Sequence, residues 1–159
     1  MCFASLSKGL TAIATQSFTT AHQLGVLGEL RRELAGSRVA GPPGAVVNVE
    51  RGLVGMPPKA YRWVREMEEI ARTFAEDGGF GDSSSGGAKD NDSGVPSMFA
   101  GAAEVFRAVA EDTVLGAEKV GARKRGLDAE DVAVAVAEGL AAKKRRKSKE
   151  GQRGETARD

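Results

Sequence analysis

The 159-residue chain is 41% hydrophobic but only 5% aromatic, so its core has to be built mostly from Ala, Val, Leu and Met. Its 23 basic and 22 acidic residues nearly cancel, which argues against a strongly basic nucleic-acid-binding protein and against an acidic disordered chain. The lone Cys2 excludes a disulfide framework and a Cys-based zinc site, and no apolar run approaches the ~18 residues of a membrane span. We therefore expect an intracellular domain, cytoplasmic by default, with no membrane segment.

The first predicted element is an amphipathic helix that is already under way at residue 3. Its apolar residues recur at steps of three and four, the spacing of one helix face: Phe3, Leu6, Leu10, Ile13, Ala14 and Ala21. No Ser, Asp, Asn or Thr is in place to cap this helix, so we expect it to be cut short at its start. Gly25 is predicted to end it, and Val26, Leu27, Leu30 and Leu34 predict a second, shorter helix.

Residues 36–56 form a connector rich in Gly and Pro, in which Ala45-Val46-Val47 fits a strand or a turn of helix. Pro57-Pro58 then predicts a helix start, since proline is tolerated in the first helical turn. The helix should run to about Asp77. Its apolar stripe consists of Ala60, Trp63, Val64, Met67, Ile70, Ala71 and Phe74. Its exposed side is predicted to carry the ion pairs Arg62–Glu66 and Arg65–Glu69.

Residues 78–94 contain six Gly, four Ser, three Asp and one Asn in seventeen positions, which predicts a flexible, disordered insertion. Helical periodicity resumes after Pro96, with Ser97 as a cap. The next helix face consists of Phe99, Ala103, Phe106, Ala110 and Ala117, before Gly121 and Gly126 break the pattern. The last element opens at Asp128. Its alternating valines would also suit a strand, but the acidic first turn and the alanines favour a helix.

The charge is unevenly distributed. Residues 143–159 carry eight basic and three acidic residues, net +5, which leaves −4 for residues 1–142. We predict a basic, disordered tail there. Its core, Lys143-Lys144-Arg145-Arg146-Lys147, fits a nuclear-localisation or polyanion-binding pattern, and phosphorylation of Ser148 would oppose it. The alternative is a solvated extension of the last helix.

Three segments carry a family resemblance: the sixteen residues 56–71 (MPPKAYRWVREMEEIA), residues 99–106 (FAGAAEVF) and residues 8–12 (KGLTA). Together they resemble the helical C-terminal domain of phosphogluconate-dehydrogenase-like, NAD-binding proteins of the β-hydroxyacid dehydrogenase superfamily. The resemblance covers roughly residues 1–140. It implies an all-α bundle of about five helices over residues 1–142, similar to the C-terminal domain of 6-phosphogluconate dehydrogenase. In that superfamily such a domain completes the substrate site and dimerises beside an N-terminal Rossmann domain that binds NAD or NADP.

The same resemblance places the catalytic lysine of the family immediately before Met1 and its customary Asn at Ala4. A dinucleotide site needs Gly-x-Gly-x-x-Gly between a strand and a helix. The nearest sequence, Gly79-Phe80-Gly81-Asp82-Ser83-Ser84, ends in Ser and follows a predicted helix. We therefore expect this chain to hold no catalytic residue and no cofactor, with NAD or NADP bound in full-length relatives by a Rossmann partner or a missing N-terminal half.

Lys8 is the leading candidate site residue. By the resemblance it faces the domain cleft, where it would hold a substrate carboxylate or phosphate; a solvated surface lysine is the equally weighted alternative. Ser5 and Thr11 lie near it, and hydroxyls bonded to the backbone explain them equally well.

The other chemistry-bearing side chains favour structural explanations. The lone His22 lacks metal or catalytic partners, which favours a surface or interface role and predicts no metal site. Glu66, Glu68 and Glu69 fit a solvated helix face. Trp63 and Tyr61 are predicted in the core or a dimer interface.

An intact relative would transfer a hydride between NAD(P) and a 3-hydroxy acid or a phosphogluconate-like substrate. We expect this chain to be inactive alone, to form a homodimer through its helix faces and to supply one wall of the substrate cleft. Two alternatives stay open. One is a non-enzymatic helical interaction module, and the other is a nuclear or nucleic-acid-associated protein directed by its basic tail, although the balanced total charge makes nucleic acid the weaker expectation.

Overall fold

The computed structural model describes residues 1–36, 45–78 and 98–156, and every regular element in these ranges is helical. The prediction of an all-α domain is confirmed, with six α-helices in the described ranges. Their bounds are α1 Cys2–Gln23, α2 Leu27–Gly36, α3 Ala45–Gly55, α4 Ala60–Glu76, α5 Met98–Asp112 and α6 Ala129–Thr156. Two 3₁₀ turns, Pro57–Lys59 and Val114–Ala117, precede α4 and follow α5.

Glycine ends the first helix as predicted. Gly25 has φ of +74°, a conformation that costs a residue without Cβ little. Its N–H donates to His22 O, and the N–H of Val26 donates to Ala21 O, at 3.0 and 2.9 Å. This paired arrangement is the Schellman motif, which satisfies carbonyls at the helix end and turns the chain into α2.

The remaining helix starts follow their local signals. The open choice for residues 45–47 resolves as helix, the first turn of α3. Pro57-Pro58 forms a 3₁₀ turn that leads directly into α4, which ends at Glu76. At the start of α6 the Asp131 N–H donates to Asp128 Oδ1 at 2.8 Å, so Asp128 caps the helix as its position predicted.

Two clusters of buried side chains form the core. The larger lies between α4, α5 and α6, where Trp63 meets Phe106 edge to face at 5.2 Å between ring centroids. The smaller joins α1 to α2, α3 and the start of α6, and its fully or nearly fully buried members are Ala14, Phe18, Ala21, Leu27, Leu53, Ala129 and Ala133. Small residues dominate both clusters, which allows the helices to approach closely.

The apolar stripe predicted for α1 is not the face that the core buries. Phe3, Leu6, Leu10 and Ile13 are 84, 75, 51 and 54% exposed, while Ala14 and Ala21 of the same stripe are buried. The inward face instead carries alanines and Phe18 together with four hydroxyl residues: Ser5, Thr11, Thr15 and Thr19. Small side chains bring α1 close to its neighbours, and three of those hydroxyls donate to carbonyls of the preceding turn at 2.6 to 3.0 Å.

The basic segment also differs from its prediction, because α6 continues to Thr156 instead of giving way to a disordered tail at residue 143. Lysine and arginine are good helix formers, and Lys143 Nζ lies 2.5 Å from Asp112 Oδ2 of α5, which ties the segment to the bundle. The predicted insertion at 78–94, apart from Gly78, lies outside the described residues, as do Pro96 and Ser97.

Candidate functional site

A groove of about 660 Å³ lies between α1, α3 and the start of α4. Its volume falls within the range of small-molecule sites. Each wall comes from a different element, and its lining residues are Phe3, Ser7, Lys8, Leu10, Thr11, Asn48, Val49, Arg51, Gly52, Gly55, Lys59 and Trp63. We refer to it as the α1–α3 groove.

Lys8 reaches the α1–α3 groove from α1, and its side chain is only 17% exposed. Its ammonium contacts the Glu66 carboxylate of α4 and lies 5.5 Å from the ring centroid of Trp63. Both contacts favour a cation, the first by charge and the second by the negative face of the indole. The sequence pattern paired Glu66 with Arg62, whereas the fold brings it to Lys8.

Burial and the neighbouring charge of Arg62 lower the pKa of the Lys8 ammonium from the ordinary 10.5. The Glu66 carboxylate acts in the opposite sense, because it stabilises the charged form. The Lys8 ammonium is therefore partly shielded from water and already paired with Glu66, so an anion bound in the groove would share this cation with that carboxylate.

Arg51 of α3 and Lys59 of the 3₁₀ turn line the same groove as Lys8. In the described part of the chain neither has an acidic partner within ion-pair distance, and no carboxylate lines the groove. Arg51 Nη1 donates to Asn48 Oδ1 at 3.1 Å, which leaves the other donors of the guanidinium free of described partners. The groove is therefore suited to an anion.

Three contacts fix α3 beside α1. A Cβ at Gly52 would lie 2.9 Å from Thr11 Oγ1, so glycine allows the two helices to touch there. Arg31 Nε of α2 donates to Glu50 Oε1 at 2.8 Å, and Arg123 Nη1 donates to Val54 O at 2.5 Å. The wall that carries Arg51 is thus held from both sides.

Of the predicted site residues, Lys8 lies in the groove and Ser5 does not. Ser5 is buried on the inward face of α1, where its Oγ donates to Cys2 O at 2.6 Å, the backbone-bonded alternative given by the sequence. Thr11 lines the groove but donates its Oγ1 to Ser7 O. Arg51 and Lys59 were missed, because neither belongs to a motif or a cluster of charges in the sequence. The only sequence signal for Lys59 is its place directly after Pro57-Pro58.

Trp63 is half-buried and serves both the core and the groove, while Tyr61 is exposed on α4. The three α4 carboxylates that the sequence assigns to a solvated helix face are all in ion pairs. Glu66 pairs with Lys8, Glu68 with Arg107 at 2.6 Å and Glu69 with Arg65 at 3.2 Å. These pairings support the interpretation of that face as a surface stabilised by charge pairs.

The other predicted features lie away from the groove or beyond the described chain. His22 is in the last turn of α1, and Lys143, Lys144, Arg145, Arg146 and Lys147 are exposed on α6. Residues 79–84, weighed as a phosphate-binding turn, lie outside the described residues. Across the described ranges no three His, Cys, Asp or Glu side chains cluster as metal ligands would, and no helix is long and apolar enough to cross a membrane.

Comparison with known proteins gives a single family. The profile of a domain of unknown function, DUF1932, matches residues 21–109, more than half of the chain. The matched range spans α2 to most of α5 and begins after Lys8. No curated protein and no solved structure matches the chain. This chain therefore belongs to the DUF1932 family, the helical C-terminal domain associated with NAD(P)-binding proteins of the 3-hydroxyacid dehydrogenase type.

Proposed function

We propose that this chain is the substrate-cleft and dimerisation domain of a NAD(P)-dependent oxidoreductase that acts on a 3-hydroxy acid or a phosphogluconate-like substrate. The α1–α3 groove supplies one wall of the cleft, and Lys8 holds the carboxylate or phosphate of the substrate. The cofactor and the lysine that exchanges protons with the hydroxyl group are supplied from outside this chain, the cofactor by a Rossmann domain.

The observation that carries this proposal is the gathering of Lys8, Arg51 and Lys59 around a groove that no carboxylate lines. A 3-hydroxy acid carries one negative charge and a sugar-acid phosphate carries up to three, so both need cationic partners. Hydroxyl and amide groups from Ser7, Thr11 and Asn48 line the same groove and are suited to sugar hydroxyls.

The test uses the purified chain with 6-phosphogluconate and 3-hydroxypropionate as probes, and binding is followed by NMR chemical-shift perturbation. We expect shifts in the N–H resonances of the groove, and Lys8→Met should weaken binding about tenfold, because a charge-assisted bond contributes about 1.5–3 kcal/mol. Lys124→Met removes an exposed lysine of the 118–128 loop and is the matched control. If Lys8→Met and Lys124→Met bind the probes equally well, Lys8 does not hold the substrate.

The proposal also predicts that the chain alone does not oxidise these substrates with NAD or NADP. The readout is the absorbance of the reduced nicotinamide. Measurable oxidation by the chain alone would contradict the assignment of cofactor binding to another domain. An open reading frame upstream of Met1 with a Rossmann glycine fingerprint and a Lys codon immediately before Met1 would support it.

A second candidate function, a non-enzymatic interaction module with a nuclear role, is favoured by α6 alone. From Lys143 to Glu150 every residue is exposed, and six of the eight are cationic. If this segment binds nucleic acid, duplex DNA binding should fall steeply with salt and vanish when residues 143–159 are removed. Binding that is independent of salt or of that segment would dismiss this candidate.

A further inference from the structure

We propose that two copies of the chain associate by antiparallel pairing of their α1 helices through a seam made of Phe3, Leu6, Leu10 and Ile13. This inference deepens the dimerisation part of the proposed function and rests on it. It names the surface, the partner and the relative orientation of the two helices.

The seam is a continuous apolar surface that the described part of the chain leaves open. Its four members are more than half exposed, and Met98 of α5, 68% exposed, borders a shallow cavity together with Ile13. Their exposed parts amount to on the order of 500 Å², a large share of the roughly 800 Å² that each partner contributes to a standard interface. The largest apolar patch on a typical single domain is about 300–600 Å² and is often an interaction site, which fits this use of the seam.

The outward face of α1 carries no charge. Its exposed residues are Cys2, Phe3, Leu6, Ser7, Leu10, Ile13, Gln16, Ser17, Thr20 and Gln23, and the two basic residues of the helix, Lys8 and His22, are half-buried beside it. A two-fold interface places each surface against a copy of itself, so any charge near the axis meets its own kind. The residues of α1 avoid that repulsion, so a second copy can occupy the seam without opposing charges from this helix; the cations Arg51 and Lys59 lie in the groove that Phe3 and Leu10 also line.

The spacing of the seam matches an antiparallel arrangement of two copies. Its residues follow steps of three, four and three, a sequence that is the same in both directions. When two such helices lie antiparallel about residue 8, Phe3 faces Ile13 of the other copy and Leu6 faces its Leu10. The steps are also those of the a and d positions of a heptad, which pack knobs into holes.

The flanks of the seam are small enough for close approach. Ser7 and Gly9 border it within its length, and Gly9 presents no side chain of its own. Beyond Ile13 the next seam positions are Ser17 and Thr20, which are polar and uncharged. The apolar contact therefore ends after about three turns, so the pairing centres on the N-terminal half of α1.

The first experiment measures mass by light scattering and sedimentation over a range of concentrations up to about 100 µM. We expect a dimer for the unaltered chain. The double variant Leu6→Glu, Leu10→Glu places like charges across the seam and should raise the dissociation constant at least about tenfold. The double variant Leu6→Glu, Leu10→Lys places opposite charges across an antiparallel seam and should recover much of the association. Val120→Glu alters a side chain that is 76% exposed elsewhere and should leave the mass unchanged.

The second experiment tests orientation by disulfide trapping in a Cys2→Ser background. Antiparallel pairing predicts that a mixture of the Phe3→Cys and Ile13→Cys chains forms a mixed disulfide, and that neither chain links to itself. In that geometry two copies of residue 3 lie about 15 Å apart along the axis, too far for a disulfide. Self-linked Phe3→Cys dimers would overturn the antiparallel arrangement.

The outcomes separate this inference from the function on which it rests. A dimer that survives Leu6→Glu, Leu10→Glu overturns the seam and leaves dimerisation through another face. A monomer at every concentration overturns both the seam and the dimerisation proposal, and it means that another domain covers the stripe. Probe binding is compared only between the unaltered chain and Lys8→Met, because Phe3 and Leu10 of the seam also line the α1–α3 groove and their variants would alter it directly.

Discussion

The two long faces of α1 reverse the usual distribution of side chains. The inward face buries Ser5, Thr11, Thr15 and Thr19, whereas the outward face exposes Phe3 and its apolar neighbours. Because a hydroxyl can donate to the carbonyl of the preceding turn, burial of Ser or Thr on a helix leaves few unsatisfied groups. Apolar side chains cannot form such hydrogen bonds within the helix. An exposed hydrophobic stripe is therefore removed from water only when another molecule or domain packs on it. The comparison shows that the most hydrophobic stripe of a helix is not always the face that its own core buries.

The largest expected effect comes from replacing one phenylalanine on each face of α1 with alanine. Phe18 is 1% exposed and Phe3 is 84% exposed on the same helix. Phe18→Ala should lower the free energy of unfolding by about 3–5 kcal/mol, because it opens a cavity in the core. Phe3→Ala should change it by less than about 0.5 kcal/mol in the monomer, as exposed substitutions generally do. Urea unfolding at dilute concentration measures both, and similar losses would contradict the assignment of the faces.

A finer test stays on the inward face and compares two buried threonines. Thr15 Oγ1 donates to Thr11 O at 2.8 Å, whereas Thr19 Oγ1 is buried without a partner in the described structure. Thr15→Val should cost about 1 kcal/mol, the net value of a lost hydrogen bond. Thr19→Val should be neutral or stabilising, because it removes a hydroxyl that is desolvated without compensation. Urea unfolding measures both changes. A larger loss of unfolding free energy for Thr19→Val than for Thr15→Val would show that the Thr19 hydroxyl has a partner.

The smallest effect concerns Lys8, which lies on the inward side of α1 and contacts Glu66 of α4. Burial and Arg62 lower its pKa below 10.5, so the folded protein releases this proton at a lower pH than the unfolded chain does. The unfolded state then binds more protons, and stability rises as pH increases from the folded pKa toward 10.5. We expect the stability of the unaltered chain relative to Lys8→Met to increase across this alkaline interval. Parallel unfolding curves at several pH values measure the difference, with Lys124→Met as the matched comparison; a falling difference would contradict it.

Local signals predicted the elements of the fold well. Gly25, Pro57-Pro58 and Asp128 each act through their own backbone geometry or a bond to a neighbouring residue, so the sequence around them is sufficient. The helical continuation past Lys143 corresponds to the alternative given for the basic segment, a solvated extension of the last helix, and the contact of Lys143 with Asp112 depends on the fold.

The site was harder to predict because its residues meet only in the tertiary structure. Periodicity located the apolar stripe of α1 but carries no information on whether a stripe faces its own core or a partner. Glu66 was matched to Arg62 because sequence separation favours that pair, while packing of α1 on α4 brings Lys8 to it. Arg51 and Lys59 come close to Lys8 only because α3 and the following 3₁₀ turn pack against α1.

That close approach gives Gly52 an influence beyond its size. It contributes no charge and no hydrogen bond to a ligand, yet a single added methyl would press on Thr11 and push α3 outward. Arg51 and Asn48 would move with the helix, and the distance between the cations on opposite walls would increase. Under the proposed function, the length of anion that fits the groove would therefore depend on a residue that need not touch it, and a substitution at Gly52 would change selectivity while every polar group of the groove is kept.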